Sequence, residues 1–358
     1  MDYIERFSLP DINNPNIPFA FLKRNSFPEN GTILAADVGG TKTNIGLFTI
    51  TDSNLLLLKK GSFPTKEYNS FMEIYQQFHN AYLPKINAVC LGVAGPVING
   101  TVRGTNFSWE IDSKKLESQL NMGSVTIIND MEAHAYGLAV LPKNAFENLR
   151  SGKEISGNAA LIAPGTGLGE AGMYWDGFNY HPFPSEGGHC DFCSRNQLDF
   201  QIYKYLGRKY GHVSWERLLS GPGIQDVYTF LRAQSGKEEP QWLSVKMAQG
   251  NPPSVISDTA LEGKDPICIK TLELFIRYLA IESAQLALKF KATAGIFVGG
   301  GILPKIVKRI DKDIFNSHFL QSGRMNALLE RVPVKVILND KTPLLGAALF
   351  GAATGKKD

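Results

Sequence analysis

At 358 residues, with 43% apolar and 20% charged side chains, the chain has the composition of a soluble globular protein and the length for two domains or one bilobal unit. A formal net charge of +3, without any long block of basic residues, gives no reason to expect a nucleic acid as partner. No stretch approaches the ~18 consecutive apolar residues of a membrane span, and four cysteines are too few for a disulfide framework at this length.

The start, MDYIERFSLPDINNPNIPF, carries acids early and no useful apolar run, so no secretory signal is expected and the cytoplasm is the default compartment. Residues 1–30, rich in Asn, Pro and charge, read as an irregular extension. TILAADVGG then runs apolar into glycines, TNIGLFTI resumes after a tight turn, and with NLLLLKKGSF they predict an opening antiparallel meander. FMEIYQQFHNAYL has helical spacing, INAVCLGVAGPV is a buried strand, and GSVTIIND is a strand followed by the helical MEAHAYGLAVL. AALIAPGTGLGEAGMYW predicts two strands joined by a glycine turn. From Gln197 to about Leu231 the pattern is helical with breaks, as it is in ICIKTLELFIRYLAIESAQLALKF. AGIFVGGGILPKIV reads as strand, glycine turn and helix, VPVKVIL as a strand, and PLLGAALFGAA as a last helix. Strands alternating with helices twice over predict two α/β lobes with a cleft between them.

The 35 glycines cluster where backbone must approach a ligand closely. In DVGGTKTNIGLF, Gly39 and Gly40 can present N–H groups to phosphate oxygens, with Thr41 adding a hydroxyl. Asp37 would face the same phosphates and needs a cation between, for which Mg²⁺ held through water is the natural choice. A plain hairpin turn is the alternative for this pair of glycines. APGTGLGEAG supplies Gly165, Thr166 and Gly167. Its Gly167-x-Gly169-x-x-Gly172 spacing satisfies the dinucleotide fingerprint formally, but the next segment, MYWDGFNYHPFP, is aromatic and proline-containing and cannot supply the required helix. Nor is there a P-loop, since no Gly-Lys pair is followed by Ser or Thr. In FVGGGILPKIV a flat base can lie against Gly299, Gly300 and Gly301; a tight strand-to-helix connection is the alternative.

Taken together, the Asp-Val-Gly-Gly-Thr hairpin, the Gly-Thr-Gly loop and the Gly-Gly-Gly turn resemble the two phosphate elements and the adenosine element of the actin-like ATPase superfamily. With IIND before a helix, SEGGHCDF and GHVSWERLLSGPGI, the resemblance narrows to the bacterial-type glucokinase family and runs in order from about residue 33 to 353. It implies an α/β, two-lobed actin-like (ribonuclease H-like) fold with a central cleft between the lobes. The small domain is expected at 31–140 plus 341–358 and the large one at 141–340. It also implies ATP as phosphoryl donor, D-glucose as acceptor at its 6-hydroxyl, and a homodimer.

Phosphorylating a hydroxyl requires an acceptor for its proton. Asp130 follows the strand VTIIN and opens a helix, so its carboxylate can serve at the strand's C-terminal end. Capping that helix is its structural alternative, and the resemblance to the family's catalytic aspartate decides for the base. The resemblance carries over Asn129, and more weakly Asn106, as ligands of sugar hydroxyls; a turn asparagine is the other reading of Asn106. Glu186, His189 and Glu216 match the family's sugar-contacting positions, and carboxylates and imidazole suit hydroxyl recognition. A solvated helix position for Glu216 and a loop position for His189 are their plain alternatives.

Cys190 and Cys193 have the spacing of a zinc knuckle or a dithiol. His189 has only two cysteines nearby, and His189 and Cys190, being adjacent, are poorly placed to chelate one ion; His181 as a fourth ligand keeps a zinc site as the alternative. The segment also lacks the helix that a working dithiol opens. The competing functional readings are a kinase for mannose or an N-acetylhexosamine, which shares every motif, and a sugar sensor. The sensors carry a helix-turn-helix, which thirty Asn/Pro-rich residues are not expected to provide.

Overall fold

The computed structural model describes residues 4–10, 17–20, 30–79, 84–104, 107–153 and 155–354. They form two compact units. One holds the described residues up to Ala145, the segment Met173–Pro184 and those from Asn339 onward; the other holds Phe146–Gly172 and Ser185–Leu338.

The first unit opens with β1 (Glu5–Ser8), β2 (Thr32–Val38), β3 (Lys42–Thr51) and β4 (Asn54–Pro64). After α1 (Phe71–Phe78) come β5 (Ala88–Val93), the short pair β6 (Thr101–Arg103) and β7 (Glu110–Asp112), and α2 (Ser113–Leu120). β8 (Val125–Asn129) leads directly into α3 (Asp130–Gly137). The main sheet has the order β1–β4–β3–β2–β5–β8. Its β2, β3 and β4 are antiparallel, as the meander predicts, whereas β2, β5 and β8 run parallel. β2 and β5 are apolar along almost their whole length because both of their faces are covered. Each fully buried Ile, Leu or Val in them contributes roughly 1.5–3 kcal/mol by leaving water.

Glu5–Ser8, inside the stretch expected to be irregular, are an ordered strand. Their alternating burial pairs them antiparallel with Asn54–Leu57, and Glu5 is ion-paired with Lys60 and Lys341. The four-residue strand is too short to stand out by pattern, and only the open edge of β4 makes it a strand.

The second unit begins with β9 (Phe146–Arg150), β10 (Ala159–Pro164) and the first part of β11 (Leu168–Trp175). The end of β11 and β12 (Tyr180–Ser185) as far as Pro184 belong to the first unit, and the chain re-enters the second at Ser185. Then come α4 (Gln197–Tyr210), α5 (Gly221–Ser235), α6 (Gln241–Gln249), α7 (Pro252–Leu261) and the long α8 (Pro266–Lys289). β13 (Gly295–Val298), α9 (Leu303–Ile306), α10 (Lys312–Phe319), α11 (Asn326–Leu329) and β14 (Val334–Ile337) complete it. The final helix α12 (Thr342–Thr354) belongs to the first unit, where it packs on β2, β5 and α3. The strands of the second unit lie in the order β11–β10–β13–β14–β9, with β10, β13 and β14 parallel. Residues on fifteen positions of α8 are buried, which makes it the spine of that unit's core beside Trp215, Phe315 and Phe319.

The two units repeat one plan. In each, a buried strand turns back through glycines into its antiparallel neighbour, and the next strand on the other side is parallel to the first. The glycine turns therefore sit at the C-terminal ends of β2 and β10, where parallel strands leave room for ligands.

Candidate active site

In the first unit three parallel strand ends meet in register. Asp37 of β2 stands beside Gly92 of β5, and Gly92 beside Ile128 of β8, so Asn129 and Asp130 follow at the same edge. Two strand spacings separate β2 from β8, or about 10 Å of backbone. Gly92 lets the helix start come this close: a Cβ there would lie 2.7 Å from the Ala133 Cβ and 3.7 Å from the Asp130 Cα.

Asp130 is the first residue of α3 and not its cap. The cap is Asn129, whose Oδ1 accepts the Met131 amide at 2.8 Å, while the Glu132 carboxylate accepts the Asn129 amide at 3.3 Å. This reciprocal pair is a capping box. Asn129 Nδ2 also donates to the Gly95 carbonyl at 3.1 Å. One amide hydrogen of Asn129 remains for another acceptor. The Asp130 carboxylate stands at the positive end of the helix, where a negative charge is favoured.

Asp37 is half-buried, and burial pushes its carboxyl up to about 6, against the opposing effects of the Asn44 amide and the Lys42 charge. Asn44 Nδ2 donates to Asp37 Oδ2 at 3.1 Å, and Ser62 Oγ in turn donates to Asn44 Oδ1 at 3.0 Å. A half-buried carboxylate with so little positive charge around it suits a hard cation. The turn beyond it is closed by Gly39 N–H donating to the Lys42 carbonyl at 3.1 Å. Thr65 Oγ1 donates to the Gly39 carbonyl at 2.8 Å, and the Thr65 amide donates to the Thr41 carbonyl at 3.1 Å.

In the second unit the other two glycine clusters adjoin each other. Gly165 N–H donates to Gly167 O, Gly221 N–H to Gly165 O and Gly299 N–H to Ile162 O, each at 2.8 Å. A Cβ on Gly165 would be 3.9 Å from the Gly301 amide nitrogen. Gly300 has φ +77°, and a Cβ there would overlap the Pro164 carbonyl. Gly167 leads straight into the strand β11, so no helix opens on the dinucleotide-like spacing.

The loop bearing Glu186 and His189 is a single 3-10 turn over Gly187–His189. Glu186 and His189 are half-exposed, with Oε2 and Nε2 4.0 Å apart. Two glycines press this turn against β11: side chains on Gly187 and Gly188 would overlap the Glu170 carboxylate and the Leu168 carbonyl. Glu216 sits in another 3-10 turn, Trp215–Arg217, and its Oε2 accepts the Leu168 amide at 3.1 Å. The two turns are joined through Trp215 N–H to Cys190 O at 3.0 Å and Phe192 N–H to Val213 O at 2.9 Å. Gly165–Gly167, Gly299–Gly301, Glu186, His189 and Glu216 are thus one connected neighbourhood.

Beneath it lies Glu170, 1% exposed, with neither carboxylate oxygen hydrogen-bonded. Burial pushes its carboxyl up to about 8, helped by Glu282; burial also pushes Glu282 up to about 7, although Lys289 donates to it at 3.1 Å. Cys190 and Cys193 are exposed free thiols, and no cluster of three metal-ligating side chains occurs among the described residues. His181 is bonded to Asp176 at 2.7 Å in the segment of the first unit. Asn106 lies outside the described residues.

Thr65, Asn44, Gly92 and Glu170 do not stand out in the sequence. Gly92 has the one available signal, a glycine inside an otherwise unbroken apolar strand; the other three act across 7 to 26 positions or more of chain.

Glycine hairpins at matching strand ends in both units, with a carboxylate opening the helix after a third parallel strand, form the actin-like ATPase (ribonuclease H-like) fold in the version that sugar kinases use. The profile of the family described as Glucokinase matches residues 34–354. A glucokinase of Nostoc punctiforme is 37% identical over 336 residues, spanning 89% of this chain and 98% of that one. The crystal structure of a glucokinase from an Antarctic psychrotroph superposes with a TM-score of 0.73 at 30% identity, covering 89% of this chain and 98% of that one. A glucokinase from Balamuthia mandrillaris, solved in complex with glucose, shares the fold with a TM-score of 0.72 at 18% identity, over 90% of this chain and 93% of that one. The chain belongs to the glucokinase family.

Proposed function

We propose that the chain transfers the γ-phosphoryl group of ATP to the 6-hydroxyl of D-glucose, giving glucose 6-phosphate and ADP. The observation that carries the reading is Asp130, a carboxylate at the end of β8 that Asn129 relieves of helix capping, in a chain of this family.

Asp130 accepts the proton of the 6-hydroxyl as its oxygen attacks the γ-phosphorus. The new O–P bond forms as the bond to the β,γ-bridging oxygen breaks, and ADP leaves with that electron pair. The backbone N–H groups of Gly40 and Gly167, with the hydroxyls of Thr41 and Thr166, hold phosphate oxygens. Gly39 and Gly165, whose own amides close the turns onto the Lys42 and Gly167 carbonyls, serve there by letting the backbone come close, and Gly299–Gly301 give the adenosine a surface free of side chains. Asp37 would hold Mg²⁺ through water; the ion when bound supplies charge neutralisation at the phosphates. Glu186 and Glu216 accept from sugar hydroxyls, His189 donates or accepts by tautomer, and Asn129 offers its remaining amide hydrogen. Asn106 is assigned to the sugar on resemblance alone, as are the homodimer and the place at the entry to glycolysis.

Neutral sugars are told apart by which hydroxyls find a buried partner, so specificity rests on these few polar groups. Coupled ADP release measured over glucose, mannose, fructose and N-acetylglucosamine tests the reading. Glucose should have the highest kcat/KM; another hexose turning over faster would reassign the substrate, and no sugar-dependent ADP release would remove the enzyme reading.

A further inference from the structure

We propose that Thr65 is a positioning residue for the phosphate-binding turn Gly39–Thr41, acting through a buried hydroxyl chain that aims the Gly40 amide at the nucleotide. The inference rests on the reading of that turn as a phosphate site.

Thr65 directly follows β4 and begins a 3-10 turn, Thr65–Glu67. It is fully buried, at 0% exposure, as is Thr43. Its hydroxyl lies 2.8 Å from the Gly39 carbonyl oxygen and 2.9 Å from Thr43 Oγ1. A hydroxyl has one hydrogen, and a carbonyl can only accept. The Thr65 hydrogen therefore goes to Gly39 O, and Thr43 must donate to Thr65. The chain of donation runs Thr43 to Thr65 to Gly39. From the same residue the backbone amide reaches the Thr41 carbonyl at 3.1 Å. One threonine thus holds both ends of the three-residue turn.

Peptide geometry sets the consequence. A trans peptide is planar, with its C=O and N–H pointing in opposite directions. Turning the Gly39 carbonyl toward Thr65 therefore points the Gly40 N–H away from Thr65 and out of the buried side of the turn. Glycines leave this turn soft, because they restrict φ and ψ least of all residues. A donor meant to meet a charged oxygen gains most when its direction is fixed in advance. Thr65 supplies that rigidity without touching the nucleotide. The Lys42–Pro64 pairing explains its placement: β4 ends opposite the first residue of β3, so the next residue falls beside the turn.

The test is steady-state kinetics of the full chain, varying ATP and glucose separately, for Thr65→Val, Thr65→Ala and Thr65→Ser, with melting temperatures measured alongside. Val matches the shape of Thr and removes the hydroxyl; Ser keeps the hydroxyl. Losing one well-placed hydrogen bond corresponds to about a tenfold rise in KM for ATP, with KM for glucose held within about twofold. Thr65→Ser should return ATP affinity to near the wild-type value. Thr65→Ala provides the same readout if the valine variant does not fold. KM for ATP within about twofold of wild type in the hydroxyl-free variants, equal rises in both KM values, or failure of serine to rescue would each overturn the inference. If those variants are normal while Gly40→Ala weakens ATP, Thr65 has no such role and the phosphate site stands. A wild-type chain without ATP-dependent sugar phosphorylation removes both.

Discussion

Glu216 and Leu168 are joined by a hydrogen bond of 3.1 Å from the Leu168 amide to the Glu216 carboxylate. A residue assigned to the sugar is thereby fastened to the strand that leaves the second glycine loop, and Gly167 is its immediate neighbour. A Cβ on Gly167 would lie 2.5 Å from Glu216 Oε2. The obstructed atom is the end of a side chain, so Gly167→Ala should move Glu216 and leave the fold intact. The expected outcome is a rise of about tenfold in KM for glucose, the equivalent of one misplaced hydrogen bond, with a melting temperature close to wild type.

Asn129 does two structural jobs, capping α3 and bonding the Gly95 carbonyl. Asn129→Ala loses both and should destabilise the chain by about 1–2 kcal/mol, the usual cost of a lost cap. Asn129→Ser keeps a capping oxygen without setting a carboxylate against the Gly95 carbonyl, and should retain most of that stability. Urea unfolding of the two variants separates the cap from the Gly95 bond.

The third glycine cluster offers a contrast between neighbours. Gly300 has positive φ and backbone directly in the path of a side chain, whereas a Cβ on Gly301 meets nothing within 4 Å. Gly300→Ala should cost about 1–3 kcal/mol through strain in the turn. Gly301→Ala should leave stability unchanged and weaken ATP alone, if adenosine lies on that surface. Calorimetric titration with a non-hydrolysable ATP analogue measures the second effect free of turnover.

Glu170 and Glu282 predict a pH dependence of stability. Burial raises the Glu170 carboxyl from 4.5 in the unfolded chain to about 8 when folded, and Glu282 to about 7. Between pH 4.5 and these values the folded state holds protons that the unfolded state has released. Stability must therefore fall as pH rises through that window, with a slope approaching about 1.4 kcal/mol per pH unit for each such proton. Glu170→Gln cannot ionise and should flatten the decline between pH 5 and 8. Urea midpoints at pH 5, 6.5 and 8 check both the sign and the effect of the substitution.

Local backbone chemistry makes the glycine turns legible from sequence, since a buried strand entering Gly-Gly-Thr or Gly-Thr-Gly has few other structures open to it. The rejection of a dinucleotide site depends on the residues just after Gly167, and β11 agrees with it. Capping at the start of α3 is ambiguous by one position because Asn and Asp cap equally well, and only the Met131 bond assigns the role to Asn129. α6 and α7 lie beyond the helical pattern that ends near Leu231; α6 buries only Leu243, so it has almost no apolar stripe to detect. The grouping of Met173–Pro184 with the first unit involves Tyr180, which meets Phe19 at 6.0 Å and accepts from the Ala20 amide at 3.0 Å. No local pattern connects positions so far apart. Thr65 is hidden for the same reason, being an ordinary threonine until the turn 26 residues before it is folded onto it.

The most direct test of the central claim is the turnover of Asp130→Asn with saturating ATP and glucose. The amide keeps the size and the helix position of the carboxylate and cannot accept the hydroxyl proton. A fall in kcat of about 10²–10⁴-fold is predicted, the range for losing a general base, with glucose binding and melting temperature near wild type. A kcat within a few-fold of wild type would contradict the assignment of Asp130 as the base.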